Sequence, residues 1–303
     1  MTARILDGRK IADEIKGELH GRVGALAARG ITPGLGVLLV GDHPASRSYV
    51  TAKEKACAQI GIHSREIALP ATASPDDILG TVAQFNEDGS IDGILVQLPL
   101  PDSRIEQRVI EAICPAKDVD GFHPISVGHM MLGWPGFWPC TPHGIIQILR
   151  RSGIEIAGAH AVIVGRSNIV GRPLANMLTQ KSAAGNATVT MCHTATRHLA
   201  DHTRRADIVV AAAGRPHTLT AEMVREGAVV IDVGVNRIPD AAKKSGFRLI
   251  GDADYEDLLP RVSAITPVPG GVGPMTIAML LSNTVQSAER RADRGESAHR
   301  TGA

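Results

Sequence analysis

Helical and strand patterns alternate through the first half of the chain. Apolar residues recur at helical spacing over residues 8–30, 44–61, 74–88 and 103–114. Short apolar or alternating runs, typical of strands, lie between these segments over residues 33–41, 63–70 and 91–101. Ser74 and Ser103 are each predicted to cap the helix that follows, and Pro75 suits a first helical position. This alternation predicts a mostly parallel sheet with helices on both faces.

A second α/β pattern follows an irregular passage, 115–142, that is rich in Gly and Pro and has little periodicity. We place a domain boundary near the end of that passage. A linking helix is predicted over 141–154. Further strands are predicted over 159–165, 186–193, 206–214, 227–235 and 262–271. The predicted organisation is therefore a first domain of residues 1–140 completed by a helix over 274–290, a second domain of 141–273, and a disordered tail of 291–303.

Composition narrows the class of protein without naming a reaction. A length of 303 residues favours two domains. The formal charge of +1 gives no reason to expect a nucleic acid or an anionic membrane as partner, and the apolar runs are too short to span a bilayer. The N-terminal segment has no apolar stretch of the kind found in secretory signals. The four cysteines form no CxxC pair, so we predict reduced thiols, a cytoplasmic protein and no metal site.

A strand followed by a glycine turn and a helix, "VIVGRSNIVGRP", is the first candidate for chemistry. Gly165 permits a tight turn, and a helix that begins after it would present free N–H groups and a positive dipole to a pyrophosphate. The second glycine is Gly171, and the usual GxGxxG fingerprint is missing. The turn is thus either a dinucleotide site or a plain strand-to-helix connection, and the α/β run that follows favours the dinucleotide.

The end of the next strand bears on which dinucleotide would bind. Sites that prefer NAD usually place an acidic residue there to accept the ribose 2′-hydroxyl. No carboxylate occurs between Thr188 and His198, while Arg166 and Arg197 are near in sequence. This pattern favours the 2′-phosphate of NADP, with two solvated arginines as the alternative. Val235, after a further strand, could pack against the nicotinamide ribose.

Tyr49 and Lys53 form the second candidate. They lie four residues apart in "SYVTAKEKA" and so share one face of a predicted helix. The pair could serve acid–base chemistry, or it could belong to a solvated amphipathic surface. Spacing alone does not separate these alternatives.

Seven stretches together resemble one family. "YVTAKEKACAQIGI", "DGILVQLPLP", "KDVDGFHP", "PCTPHGI", "GRSNIVGRP", "VIDVGVNR" and "ITPVPGGVGPMT" occur in the order found in bifunctional methylenetetrahydrofolate dehydrogenase/methenyltetrahydrofolate cyclohydrolases, over residues 3–288. The resemblance implies a folate-binding catalytic domain and a Rossmann-like NADP-binding domain with the active-site cleft between them, in a homodimer. It implies NADP-dependent oxidation of 5,10-methylenetetrahydrofolate and hydrolysis of the methenyl product to 10-formyltetrahydrofolate.

The resemblance also assigns residues. It implies that Lys53 is the central catalytic residue, that Gln97 holds it, that Tyr49 packs on the folate ring, and that Asp120 pairs with the pterin edge. Asp118 is a competitor for the last role, and only the resemblance selects Asp120. Further expected substrate contacts are Val96, Leu98, Pro269, Gly270, Gly271 and Pro274. Expected cofactor contacts are Gly165, Arg166, Ser167, Ile169, Gly171, Thr194 and Val235.

One position departs from the pattern of some bacterial family members. They carry Arg directly after a Cys-His pair, where this chain has Thr194. A threonine hydroxyl can still bond a 2′-phosphate, so NADP remains the expected cofactor. The alternatives to a bifunctional enzyme are a dehydrogenase or cyclohydrolase with one activity, and a module that binds NADP without turnover.

Overall fold

A computed structural model describes residues 2–243 and 246–295. It divides into two compact units. The first unit comprises Asp13–Cys140 and the residues from Ile277 onward, and the second comprises the residues up to Ala12 and Thr141–Thr276. No helix in these ranges is long and apolar enough to cross a membrane.

The secondary structure follows the predicted alternation. The helices are α1 Gly8–Ala28, α2 Pro44–Ile60, α3 Pro75–Glu87, α4 Glu106–Ala112, α5 Pro124–Leu132, α6 Cys140–Arg151, α7 Gly171–Thr179, α8 Leu199–Thr203, α9 Tyr255–Leu258 and α10 Val272–Asp293. The strands are β1 Arg4–Ile5, β2 Gly34–Val40, β3 His63–Leu69, β4 Gly93–Val96, β5 His160–Val164, β6 Thr188–Cys192, β7 Ile208–Ala211, β8 Val229–Asp232, β9 Asn236–Pro239, β10 Phe247–Ile250 and β11 Ala264–Ile265.

The first unit is built on a three-stranded parallel sheet in the order β3-β2-β4. The central strand β2 is buried along its whole length, as expected for a parallel strand covered on both faces. Helix α3 packs Phe85 and Val82 into the core beside Leu38 of β2. Ser74 caps α3 as predicted, because its hydroxyl accepts from Asp77 N while the Asp77 carboxylate accepts from Ser74 N.

Two predictions in the first unit were wrong in detail. Ser103 does not cap the next helix, since Asp102 accepts from Arg104 N and residues 103–105 form a short 3₁₀ turn before α4. The passage predicted to be irregular contains α5. His123 caps α5 through its ring nitrogen, Pro124 begins it, and Gly133 ends it in a left-handed conformation. These are ordinary helix-boundary residues, but the surrounding Gly and Pro residues masked the short helix between them.

The second unit is built on a six-stranded sheet in the order β1-β11-β8-β7-β5-β6, parallel throughout. From β5 the chain first adds β6 on one side and then β7 on the other, so the order of strands changes direction between β5 and β7. Ligands bind at such a switch point in open α/β sheets. The apolar strands β5, β7 and β8 form its buried centre. The small elements α8, α9 and the antiparallel pair β9–β10, each five residues or shorter, were not predicted.

The first residues of the chain differ from the predicted domain organisation. β1 pairs in parallel with β11, with Arg4 opposite Ala264 and Ile5 opposite Ile265. Ala3 and Leu6, on either side of β1, are buried. The edge of the second sheet therefore recruits a short strand from the N-terminus, which a sequence pattern of only two residues could not indicate.

The end of α10 lies in the segment predicted to be a tail. The helix continues to Asp293, and residues 296–303 of that predicted tail lie outside the described residues. Arg291 Nε donates to Asp92 Oδ1 at 2.6 Å, and Arg291 Nη2 donates to Asp92 Oδ2 at 3.2 Å. The Asp92 side chain is 1% exposed and also accepts from Gly34 N. A buried two-point ion pair thus fixes the last turns of the helix beside the start of β4.

Replacing Arg291 by Met is expected to lower the free energy of unfolding by about 3 kcal/mol, because it leaves the Asp92 carboxylate buried without its cation. Urea unfolding of the purified variants measures this change. Arg29→Met is the matched control, since Arg29 pairs with Asp293 at 3.5 Å on an exposed surface and should matter by less than about 1 kcal/mol. An equal loss of unfolding free energy in both variants would show that the buried ion pair stabilises the fold no more than the exposed one does.

Candidate functional site

Lys53 and Gln97 reach the same edge of the first sheet from different elements. Helix α2 carries Lys53 and follows β2, while Gln97 comes directly after β4. β2 and β4 are parallel neighbours, so both connections leave from the carboxyl ends of adjacent strands. This is the edge where active sites of α/β proteins assemble.

A direct hydrogen bond joins the two side chains. Lys53 Nζ donates to Gln97 Oε1 at 3.0 Å. Gln97 Nε2 donates to Leu98 O at 2.8 Å, and Gln97 N donates to Leu38 O at 2.9 Å. Backbone and side chain of Gln97 are therefore both anchored, and the amide presents its oxygen to the lysine.

The environment of Lys53 favours its neutral form. Only 8% of the residue is exposed, and burial lowers the pKa of the amine below its usual range. The negative charges nearest to it, of which Asp120 has the largest effect, act in the opposite direction. The neutral amine is therefore more accessible in Lys53 than in an ordinary surface lysine.

Asp120 lies close enough to Lys53 for the two charges to interact. Burial raises the pKa of the Asp120 carboxyl to about 6, while the Lys53 ammonium opposes that rise. Asp118, the competing carboxylate, has a different task, since it accepts from Phe122 N at 3.2 Å and from His123 N at 2.9 Å. Its oxygens shape the loop, and Asp120 is left as the carboxylate available for a ligand.

The other predicted residues of the first unit occupy different environments. Tyr49 is 43% exposed, so its ring is open to a ligand. Val96 is buried in the core of the unit, and Leu98 packs against that core. Contact between Val96 and a ligand would therefore use its backbone. Spacing alone could not show this difference between Tyr49 and Lys53, which lie one helical turn apart.

The glycine turn of the second unit is closely packed. Gly165 follows β5 and has φ +139°, and a Cβ at this position would lie 2.1 Å from Ala212 O, just after β7. A Cβ at Gly171 would lie 2.1 Å from Gly165 O. Both glycines let the backbone fold tightly between the ends of β5 and β7, where the order of strands in the sheet changes direction. The residues therefore fit the dinucleotide interpretation better than a plain connection.

Side chains at this crevice are free to meet a ligand. Arg166, Ser167 and Ile169 are exposed in the turn, and the Ser167 hydroxyl accepts from Val170 N at 3.1 Å. Thr194 is exposed in the loop after β6, and Val235, after β8, is 48% exposed. All of these predicted cofactor contacts come from segments that follow the carboxyl ends of strands in one sheet.

Two buried carboxylates lie beneath these loops; Asp232 was interpreted from the sequence as bracing a loop, and Asp252 was not singled out. Asp232 ends β8 and accepts from the backbone N–H groups of Gly234, Asp252 and Ala253, each at 2.9 Å. Asp252 accepts from Gly214 N at 2.7 Å and from Asn236 Nδ2 at 2.9 Å. They connect the loops after β7 and β8. The sequence signal was an acidic residue directly after an apolar strand, in "VVID" and "RLIGD".

The predicted folate loop, from Pro269 to about Ile277, lies in the second unit as far as Thr276. Pro269 is exposed, Gly270 has φ +111°, and Gly270 O accepts from Arg9 N at 3.0 Å. A Cβ at Gly271 would lie 2.6 Å from Pro267 O. Pro274 lies in the first turn of α10 and is partly buried. The glycines are therefore required by the loop itself, whatever it binds.

In residues 2–243 and 246–295 no group of three or more His, Cys, Asp or Glu side chains could hold a metal ion. All four cysteines are free thiols, with Cys114 exposed and the other three buried.

Comparison with protein families accounts for both units. The family model "Tetrahydrofolate dehydrogenase/cyclohydrolase, catalytic domain" matches residues 6–120. The model of the NAD(P)-binding domain of the same family matches residues 139–292.

Individual relatives match over nearly their whole length. The bifunctional protein FolD of Prosthecochloris aestuarii is 54% identical, over 94% of this chain and 98% of its own. The crystal structure of the bifunctional FolD dehydrogenase/cyclohydrolase of Campylobacter jejuni has a TM-score of 0.89 at 48% identity, covering 95% of this chain and 99% of that one. The Trypanosoma brucei FolD structure, complexed with NADP cofactor and inhibitor, has a TM-score of 0.91 at 38% identity, covering 96% and 99%.

Proposed function

Because the chain belongs to the tetrahydrofolate dehydrogenase/cyclohydrolase family, we propose that it is a bifunctional enzyme of one-carbon folate metabolism. It oxidises 5,10-methylenetetrahydrofolate to the 5,10-methenyl form with NADP⁺, and it hydrolyses that product to 10-formyltetrahydrofolate. The observation that carries this function is the buried Lys53 amine, held at 3.0 Å by Gln97.

Hydrolysis requires a group that moves protons. Water must lose one proton as its oxygen adds to the methenyl carbon, and the ring nitrogen that leaves must gain one. The hydroxyl of the adduct loses its remaining proton as the formyl C=O forms, so one proton is released to solvent overall. Neutral Lys53 accepts the first proton, and as an ammonium it can return a proton to the leaving nitrogen. Gln97 Oε1 accepts a hydrogen bond from either form of the amine, so it holds Lys53 in place through the cycle. The positive charge of the methenyl substrate further disfavours an ammonium beside it.

Asp120 and Tyr49 orient the folate in this proposal. An Asp120 carboxylate can accept two hydrogen bonds from the amino and ring N–H groups at the pterin edge. The exposed ring of Tyr49 offers a flat apolar face on which the pterin can pack. The Gly-rich loop at Pro269–Gly271 and the first turn of α10 at Pro274 are proposed as further folate contacts, since their backbone can approach a flat ligand closely.

The nucleotide turn supports NADP as the cofactor. When bound, NADP⁺ accepts the hydride from the methylene carbon. The Gly165–Gly171 turn brings backbone N–H groups at the start of α7 toward the pyrophosphate, and Arg166, Ser167 and Thr194 are exposed where they can bond a 2′-phosphate. Val235 and Ile169 supply exposed apolar surface for the remainder of the cofactor.

Two spectrophotometric assays test the function. Methylenetetrahydrofolate is supplied with NADP⁺ or with NAD⁺ while nicotinamide reduction is followed, and methenyltetrahydrofolate is supplied alone while its hydrolysis is followed. We expect reduction of NADP⁺ in the first assay and enzyme-dependent hydrolysis in the second. Absence of reduction with either nucleotide removes the dehydrogenase proposal, and hydrolysis at the uncatalysed rate removes the cyclohydrolase proposal.

The Asp120 carboxyl predicts how folate binding depends on pH. Its pKa is raised to about 6, and the deprotonated form is the one that accepts from the pterin. KM for methylenetetrahydrofolate should therefore be constant above about pH 7 and rise as the pH falls through 6, approaching about tenfold per pH unit below it. Asp120→Asn, the control, should raise KM at every pH and flatten the profile. An unchanged profile in that variant would assign the titration to another group.

Assembly, location and partners are proposed on separate grounds. The family resemblance supports a homodimer, and the spacing of the four cysteines supports a cytoplasmic location. The formal charge of +1 and the short apolar runs support the absence of a nucleic-acid or membrane partner. Sedimentation of the purified chain tests the oligomeric state, for which a mass of a single 31.9 kDa chain would contradict the dimer.

A further inference from the structure

The loop that carries Asp120 is fixed on both of its sides by buried side chains. On the C-terminal side, the Asp118 carboxylate accepts from the N–H groups of Phe122 and His123. On the N-terminal side, the constraint acts on the carbonyl of Val119, which belongs to the peptide that leads into Asp120. The side chain that makes this constraint comes from a distant part of the sequence.

Asn283, on α10, is 2% exposed and points its amide nitrogen at this peptide. Asn283 Nδ2 donates to Val119 O at 2.8 Å and to Trp138 O at 3.0 Å. An amide nitrogen carries two hydrogens, so these two bonds use its full capacity to donate. One side chain thereby fastens the segment before Asp120 to the segment that ends the first unit at Cys140.

Cys140 adds a second contact to the same carbonyl. Its buried thiol donates to Val119 O at 3.3 Å. Gly121 shows how closely the two segments approach, since a Cβ there would lie 2.7 Å from Pro139 N. The Val119 carbonyl therefore receives two donors in a space that excludes other groups.

We propose that Asn283 is a positioning residue for folate binding, because its amide fixes the Val119–Asp120 peptide and so aims the Asp120 carboxylate at the pterin edge. The inference rests on the proposed function of Asp120. Asn283 does not touch substrate. Its effect on the reaction passes through the orientation of one carboxylate and through the distance of that carboxylate from Lys53.

The test compares Asn283→Leu with Thr284→Val. Leu has the same branching and number of heavy atoms as Asn but no donor, so it frees the Val119 peptide. Thr284 is the adjacent residue of α10, fully buried, and its hydroxyl donates to Leu280 O within the helix at 2.9 Å. Thr284→Val thus removes a buried hydrogen bond from the same helix but leaves both donors to Val119 O in place.

In Asn283→Leu we expect KM for methylenetetrahydrofolate to rise at least tenfold and the midpoint of its pH dependence to move, while kcat falls less than threefold. KM for NADP⁺, the second substrate, should be unchanged. Thr284→Val should leave both the folate KM and the pH midpoint at their wild-type values. Equilibrium binding of methenyltetrahydrofolate, measured by calorimetry, should repeat the loss of affinity.

A wild-type folate KM and pH midpoint in Asn283→Leu would overturn the proposal and leave Asn283 a purely structural residue. If Asn283→Leu fails to fold, Cys140→Ala is the second variant, because it removes the other donor to Val119 O. It is expected to raise the folate KM about threefold. An unchanged folate KM in Cys140→Ala would also contradict the proposal. Failure of the proposed function is a separate result, because it would appear as inactivity of the wild-type enzyme.

Discussion

Replacing Lys53 by methionine is expected to lower kcat for methenyl hydrolysis by about 10²- to 10⁴-fold, the usual contribution of a positioned proton carrier. Methionine keeps the length and the apolar stem of lysine but removes the amine. Because Lys53 is 8% exposed and the burial of its amine is unfavourable, the variant should be at least as stable as the wild type. NADP affinity, which depends on the second unit, should be retained.

Lys55→Met supplies the matched control for this experiment. Lys55 lies on the same helix, two residues away, and is exposed. It should hydrolyse methenyltetrahydrofolate at the wild-type rate. Stopped-flow measurement of the two variants at pH 7 and pH 9 separates the enzyme-dependent rate from the uncatalysed one. Hydrolysis by Lys53→Met at the wild-type rate would move the proton carrier to another residue.

Replacing Gly165 by alanine is expected to lower the free energy of unfolding by about 3 kcal/mol or more and to abolish NADP binding in the fraction that folds. Two effects add: φ +139° is a conformation that residues with a Cβ rarely adopt, and the new methyl group would lie 2.1 Å from Ala212 O. Relief of that contact must push β5 and β7 apart at the proposed cofactor site.

Gly158→Ala is the control that separates the two effects. Gly158 has φ +76° in the same unit, but a Cβ there would meet nothing within 4 Å. It should lose only about 1 kcal/mol, for its left-handed conformation, and it should bind NADP normally. Thermal unfolding with and without NADP measures both quantities. Equal destabilisation of the two variants would show that the approach of Gly165 to Ala212 is unimportant.

The alternation of helices and strands could be predicted from the sequence because most elements are long and strongly periodic. α2, α3 and the strands β2 and β5 lie within two residues of their predicted positions. α5, which begins at Pro124, was missed because its local pattern is short and surrounded by Gly and Pro. β1 was missed because it is two residues long and pairs with β11 at the other end of the chain. Their positions depend on long-range pairing, which a local pattern does not contain.

The candidate site likewise has features that the sequence predicts and features that depend on long-range contacts. Tyr49 and Lys53 could be placed on one helical face, yet the helix alone gave no reason for one to be exposed and the other buried. That difference arises from β4, whose end brings Gln97 to Lys53. Similarly, Asp118 and Asp120 are equivalent in the sequence, and they separate only because Asp118 accepts from two backbone N–H groups. The roles of these residues at the site remain predictions.

The partner of Lys53 is an amide, and this choice has a consequence for how readily the site could be inactivated. The Gln97 oxygen at 3.0 Å accepts from both protonation states of the amine. A carboxylate in the same place would bind the ammonium far more strongly than the amine and would trap the proton. Glutamine and glutamate have nearly the same shape. For the proposed role of Lys53, the difference between a reversible proton carrier and a permanent ion pair is thus one terminal group, an NH₂ where glutamate has an oxygen, so the single change Gln97→Glu would be enough to stop proton transfer.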